Sequence, residues 1–182
     1  MRELSLNVLD IAQNSISAGA SLVTLSVCED TANDWLTLTI ADNGRGMTPE
    51  QLDRVRDPFY TTRTTRKVGM GIPLFRMAAE MAGGGLTIES VVGVGTTVTA
   101  TFCLSHIDRM PLGDMAGTVS ALIRLNPQLD FLYRHEVDGN VFELDTRALR
   151  EVLEDVPLCE PDVMEWINGT LAEGLLPLNS QA

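Results

Sequence analysis

Apolar residues recur at three- and four-residue steps over residues 3–18, where Leu4, Val8, Ile11, Ala12 and Ile16 form one stripe. That is the pattern of a helix laid on a core. Asn7, Asp10, Asn14 and Ser17 repeat at the same steps and share a second face of that helix. The period then drops to two: "SLVTLSV" and "WLTLTIAD" alternate apolar with polar around "CEDTAND", which predicts a β-hairpin. "TPEQLDRV" opens with a threonine cap and acid in the first turn, as a short helix does. "GIPLFRMAAEMAGGG" predicts another helix, with proline near its start and glycines past its end. "LTIESVV" and "TTVTATFCL" predict a second strand pair around "GVG".

Helix, two strands, helix and two strands predict an α+β fold, a two-layer sandwich with helices on one face of a mixed, largely antiparallel sheet. From "SHIDRMP" the character changes. "PLGDMAGTVSALIRL" reads as a helix, "DFLYRHE" and "VFELDT" as a hairpin, and "TRALREVLEDV" and "PDVMEWINGTLAEGL" as two more helices. The expected division is 1–104 and a small acidic α+β unit at 105–182.

Composition narrows the classes. With 182 residues, 45% hydrophobic and 21% charged, the chain suits one domain with a small appendage. No stretch nears the roughly 18 apolar residues of a membrane span, and "MRELSLNVLD" has no apolar signal core. Cys28, Cys103 and Cys159 lie far apart with no C-x-x-C pair, which fits reduced thiols in a cytoplasm. The formal net charge is −12, most of it beyond residue 104. Such a surface repels a phosphate backbone, so neither nucleic acid nor a membrane is expected as partner. Against that acidity, Arg54, Arg56, Arg63, Arg66 and Lys67 crowd into a short stretch, which suits capture of a small anion.

Four segments carry candidate chemistry. Asp10 and Asn14, at i and i+4, pair a carboxylate able to activate water with an amide oxygen able to ligate magnesium. Solvated or capping side chains are the plainer reading of that pair. "IADNGRGM" places Asp42, Gly44, Gly46 and Met47 after an apolar run, and Asn-Gly by itself reads as a tight turn. "KVGMGIPL" sets Gly69 and Gly71 ahead of a helix, where backbone N–H groups can approach phosphate oxygens. "GVGTT", with Thr96, reads equally as a hairpin turn.

Order and spacing decide between these readings. "DIAQNSISAGA", "DNGRGM", "DPFYTT", "GMGIPL" and "GVGTTVTATF" follow one another over residues 5–104. Together they resemble the ATP-binding domain, of the Bergerat-type fold, shared by histidine kinases, DNA gyrase B, large heat-shock chaperones and mismatch-repair ATPases (the GHKL superfamily). The first of these segments looks most like the mismatch-repair branch, and the later ones like histidine kinases. The whole chain also resembles a group of stand-alone bacterial ATP-binding proteins of this superfamily.

The resemblance implies that Asp42 accepts a hydrogen bond from the adenine amino group, with Gly44, Gly46 and Met47 beside the base. It makes Asn14 the Mg2+ ligand and puts Asp10 in the general-base position. Lys67, Val68, Gly69, Met70, Gly71 and Ile72 fall on the phosphate loop, and Thr96 on the threonine that supports the adenine-binding aspartate. Two departures stand out. The base position usually holds glutamate, one methylene longer than Asp10, and Lys67 replaces the first glycine of the kinase-type loop.

Expected functions are an ATP-dependent switch or slow ATPase that alters a protein-partner surface on 105–182, a protein kinase, or a nucleotide-binding module without turnover. For the kinase, "SHIDRMPLGD" matters: His106, Arg109, Pro111 and Leu112 resemble part of a histidine-kinase phosphoacceptor box.

Overall fold

The computed structural model describes residues 3–56 and 71–182. Among the described residues, six α-helices run α1 (Leu4–Ser17), α2 (Pro49–Arg56), α3 (Gly71–Met81), α4 (Met115–Leu125), α5 (Thr146–Leu153) and α6 (Pro161–Leu175). Six strands run β1 (Leu22–Asp30), β2 (Trp35–Asp42), β3 (Gly85–Val91), β4 (Gly95–Cys103), β5 (Asp130–Val137) and β6 (Asn140–Asp145). They form one mixed sheet in the order β3-β4-β2-β1-β5-β6, antiparallel except where β5 runs parallel to β1.

Alternation settles which face is covered. In β1, Val23, Leu25 and Val27 are buried while their neighbours are half-buried, and β2 and β5 do the same. Helices α3, α1, α4 and α6 pack side by side across the buried face, each against the strands beneath it. Their apolar stripes and the inward strand residues make one core, with Phe75, Phe102, Phe131 and Tyr133 fully enclosed. The two-layer α+β sandwich expected from the sequence is therefore the architecture present.

The sheet does not stop at residue 105. The region 105–182, expected as a unit of its own, extends the same sheet through the β1–β5 pairing, and Phe131, Tyr133 and Leu122 join the same core. It also begins α1: the N–H groups of Leu4 and Ser5 donate to the carbonyls of Pro111 and Leu112 at 3.0 and 2.8 Å. Two otherwise orphaned helix donors are satisfied this way, in place of a side-chain cap.

Two helical glycines behave oppositely. A Cβ on Gly174 would overlap the Phe142 ring, whereas one on Gly169 would meet nothing within 4 Å. Gly174→Ala is expected to lower stability by about 1–3 kcal/mol through overpacking. Gly169→Ala should raise it by roughly 0.5–1 kcal/mol through helix propensity. Urea titration of both variants checks the sign.

Candidate functional site

The polar face of α1 slides from core to solvent along its length. Asn7 is buried, Asp10 is half-buried and Asn14 is exposed, so this face reaches solvent in the last turns of the helix. Its C-terminal end meets the segment that follows β2. Arg45 N–H donates to the Ala18 carbonyl at 3.1 Å, and a Cβ on Gly44 would press within 3.0 Å of Ala18 Cβ and Asp42 Oδ1. Glycine at 44 is thus required by the close passage of two backbones.

Residues 43–48 are not a hairpin turn. The hairpin partner of β2 is β1, which precedes it, and on its other side Asp42 lies opposite Thr96 of β4. The chain leaves the sheet after Asp42 and runs to α2, where Thr48 and Gln51 exchange backbone-to-side-chain bonds as a capping box. Gly46 takes φ +66° against the Val91 carbonyl, and Gly93 N–H donates to the Arg45 carbonyl at 2.8 Å. The β3–β4 turn therefore holds this segment from the far side.

Asp42 is half-buried, and both its oxygens are oriented. Ser15 Oγ donates to Oδ2 at 2.6 Å and Gly44 N–H donates to Oδ1 at 2.9 Å. Each oxygen keeps a further lone pair for a donor arriving from outside. Ser15, buried on α1, is a site residue that sequence reasoning passed over. Its only signal was a hydroxyl next to Asn14 on the inward face of the helix.

Thr96 is placed beside Asp42, but its hydroxyl turns elsewhere. Its Oγ1 is 2.8 Å from Ser90 Oγ, which also accepts from Met47 N–H at 2.8 Å and lies 3.0 Å from the Gly95 carbonyl. In place of direct support of Asp42, Thr96 belongs to a Ser90-centred clamp that fixes Met47. The expected phosphate helix is present as α3. Its first residue, Gly71, sits against Asp10, with a Cβ there only 2.6 Å from Asp10 Oδ2. The positive end of the α3 dipole and the α1 carboxylate are thus brought together. Ile72 follows in the first turn of α3, half-buried. Lys67, Val68, Gly69 and Met70 lie outside the described residues, as do Arg63 and Arg66.

His106 is not at this site. It lies in the turn after β4, where it contacts Gly83 beyond the far end of α3, and its Nδ1 accepts from Asp108 N–H at 3.1 Å. Along β2 and β4 the register runs from Asp42–Thr96 to Trp35–Cys103, which is about 23 Å of strand. Along α3, the Gly71 and Met81 ends are about 15 Å apart. The His106 imidazole is therefore out of reach of a phosphate held at Gly71 of the same chain. Arg109 is structural, donating to the carbonyls of Leu104, Met110 and Gln181.

An oriented carboxylate lies at the end of a central strand, glycines press against a helix end, and a second helix brings its N-terminus to α1. The family of histidine kinase-, DNA gyrase B- and HSP90-like ATPases matches residues 1–106, and the chain belongs to it. Among similar proteins, the sensor histidine kinase ZraS of Salmonella typhimurium is 29% identical over 93 residues, covering 50% of this chain and 20% of the relative. The histidine protein kinase DivJ of Caulobacter vibrioides is 31% identical over 102 residues, covering 54% and 17%. The chain thus spans about a fifth of the length of these relatives.

Among solved structures, the Aquifex aeolicus MutL ATPase domain complexed with ADP superposes with a TM-score of 0.51 at 16% identity, over 85% of this chain and 68% of the other. The N-terminal domain of a DNA repair protein gives 0.58 at 15%, over 80% and 53%. These likenesses show a shared fold. Among the described residues, no helix is long and apolar enough to cross a membrane.

If Asp42 reads a nucleotide, Ser15 holds the reader in place. Ser15→Ala is expected to weaken ADP binding roughly five- to tenfold by releasing one charge-assisted bond. The fold should survive, because among the described residues that hydroxyl makes one bond, to Asp42. Isothermal calorimetry with ADP measures it.

Proposed function

We propose that the chain binds Mg-ATP in the cleft between α1, the 42–48 segment and the N-terminus of α3, and that slow hydrolysis there drives a nucleotide-dependent switch. The observation that carries this reading is the Asp42 carboxylate. Its Ser15 and Gly44 donors leave it oriented as an acceptor, half-buried at the end of β2. Family membership and the fold shared with a MutL ATPase domain complexed with ADP support it.

The phosphates would extend towards Gly71, where the N-terminus of α3 gives a favourable dipole. Asn14, exposed one turn beyond Asp10, would give its amide oxygen to magnesium. Among the described residues no three His, Cys, Asp or Glu side chains cluster, so the nucleotide's own phosphates would supply much of that ion's shell. Bound magnesium would neutralise phosphate charge. Asp10 would orient or deprotonate the attacking water from the α1 side.

Incubation with γ-labelled ATP and magnesium separates the possible activities. Free phosphate supports the switch, label on a second protein supports a kinase, and neither leaves a binding module. The kinase reading draws on the relatives named as histidine kinases, and by the distances above its acceptor would lie on another protein. Asn14→Ala is expected to abolish magnesium-dependent binding. Asp10→Asn should keep binding and lose phosphate release. An Asp10→Asn protein that hydrolyses ATP at the parent rate would remove Asp10 from the base role.

A further inference from the structure

Helix α6 buries Met164, Ile167 and Leu171, which turns Asp162, Trp166, Gly169 and Glu173 outward at three- and four-residue steps. Trp166 is 54% exposed, a large apolar surface to leave in water. Gly169, one turn further along, has open space where its side chain would be. Among the described residues nothing calls for glycine there, unlike Gly174 of the same helix, which makes room for Phe142. Trp166 and Gly169 together form a ledge and a notch. One turn back from Trp166, a shallow open groove separates the end of α5 from the start of α6. It is lined by Val156, Pro157, Pro161 and Val163 with the carboxylates of Asp155 and Glu160.

Charge selects the occupant. Residues 151–182 hold seven acidic residues and no lysine or arginine. A second copy of a chain with net charge −12 would bring the same sign to the same face. A Lys/Arg-rich segment with apolar residues along one side matches both features, the apolar strip and its acidic surround. We propose that the groove and the Trp166–Gly169 ledge are the docking surface for a basic amphipathic helix of a partner protein, with Trp166 as its central contact. The proposal rests on the reading of 105–182 as a partner region and gives that partner a chemistry. Gly169 lets the incoming backbone pass close to α6, and Trp166 packs against the partner's apolar side.

A synthetic helical peptide of leucine and lysine, with its leucines on one face, serves as the probe. An isomer of the same composition with scattered leucines is the control. The chain has two tryptophans, so Trp35→Phe leaves Trp166 as the sole reporter. Saturable binding with a blue shift of Trp166 emission is expected, weakening as salt rises. In peptide anisotropy, Trp166→Ala should lose roughly thirtyfold in affinity, the effect of removing a central aromatic contact. Gly169→Gln, which keeps the helix and fills the notch, should lose about tenfold by the same arithmetic.

Equal binding of the scattered isomer, or unchanged affinity in Trp166→Ala, would overturn the proposal. So would a concentration-dependent dimer abolished by Trp166→Ala, which would make the occupant a second copy. ADP calorimetry on the same proteins keeps the two readings apart. Loss of ADP binding in the parent with peptide binding intact would sink the nucleotide site and leave this surface standing.

Discussion

Asp42→Asn is expected to weaken ATP and ADP alike by about ten- to a hundredfold, the effect of mismatching a buried polar pair worth about 1–3 kcal/mol. The substitution preserves shape and replaces one carboxylate oxygen with an NH2 donor. Ser15 Oγ and Gly44 N–H both donate to this side chain. The new amide must aim its nitrogen either at the Gly44 N–H, where donor meets donor, or at Ser15, whose hydroxyl must then turn to accept. In the second case one of the two oxygens open to the adenine amino group is lost. The loss should be equal for the two nucleotides, because in the proposed pose Asp42 meets the base and Gly71 the phosphates. Calorimetry with ADP and with a non-hydrolysable ATP analogue measures it. Unchanged ADP affinity would remove Asp42 from adenine recognition.

The contrast between Asp42 and Thr96 indicates what a sequence can carry. The Asp42 segment stands out in the sequence because it has a fixed order relative to the α1 and α3 segments, and the order of motifs along a chain is linear information. The same linear signals place α1 by its 3.6-residue stripe, and α6 by its proline start and apolar spacing. The direction of the Thr96 hydroxyl depends on Ser90, across the β3–β4 pairing, and on which oxygen Met47 N–H reaches. No residue-type pattern encodes that choice. The continuity of the sheet past residue 105 was hidden for a related reason. The pairing of Val23 with Phe131 is parallel and joins strands about a hundred residues apart, with no turn signal between them. Each strand read correctly by itself, and nothing local announced their adjacency.

Glu29→Ala is expected to lower stability by about 3–5 kcal/mol, the range for removing one partner of a buried charged network. At this chain length that means a fall in Tm of roughly 10 °C. Glu29 is 1% exposed and His135 3%, and they occupy inward positions of β1 and β5 that otherwise hold Val27, Phe131 and Tyr133. Glu29 accepts from Ser180 Oγ at 2.6 Å and Gln181 N–H at 2.8 Å, and lies 3.1 Å from His135 Nε2.

Tyr133 OH is 2.9 Å from His135 Nδ1. Burial, helped by the Glu29 charge, pushes the tyrosine pKa up, so its hydroxyl stays protonated. Hydrogen-bond accounting then gives Nε2–H to Glu29, and every polar atom of the chain Tyr133–His135–Glu29 has a partner. Alanine at 29 leaves three donors facing a cavity. It also removes the two bonds by which Glu29 ties residues 180–181 to the sheet, leaving Arg109 on the Gln181 carbonyl.

The same network fixes the pH dependence. Burial alone would raise the Glu29 pKa, but the bonds from His135, Ser180 and Gln181 outweigh it and hold the carboxyl below its ordinary value of 4.5. A carboxylate with a depressed folded pKa contributes its full stabilisation above the ordinary value, and loses it as pH falls through the folded one. The parent should therefore lose stability steeply between about pH 5 and the acid limit. Glu29→Gln, which cannot titrate, should start less stable at pH 7 and follow a flatter acid limb. Urea midpoints measured from pH 7 down to pH 3 separate the cases. Parallel curves for the parent and Glu29→Gln would mean that other carboxylates govern the acid transition.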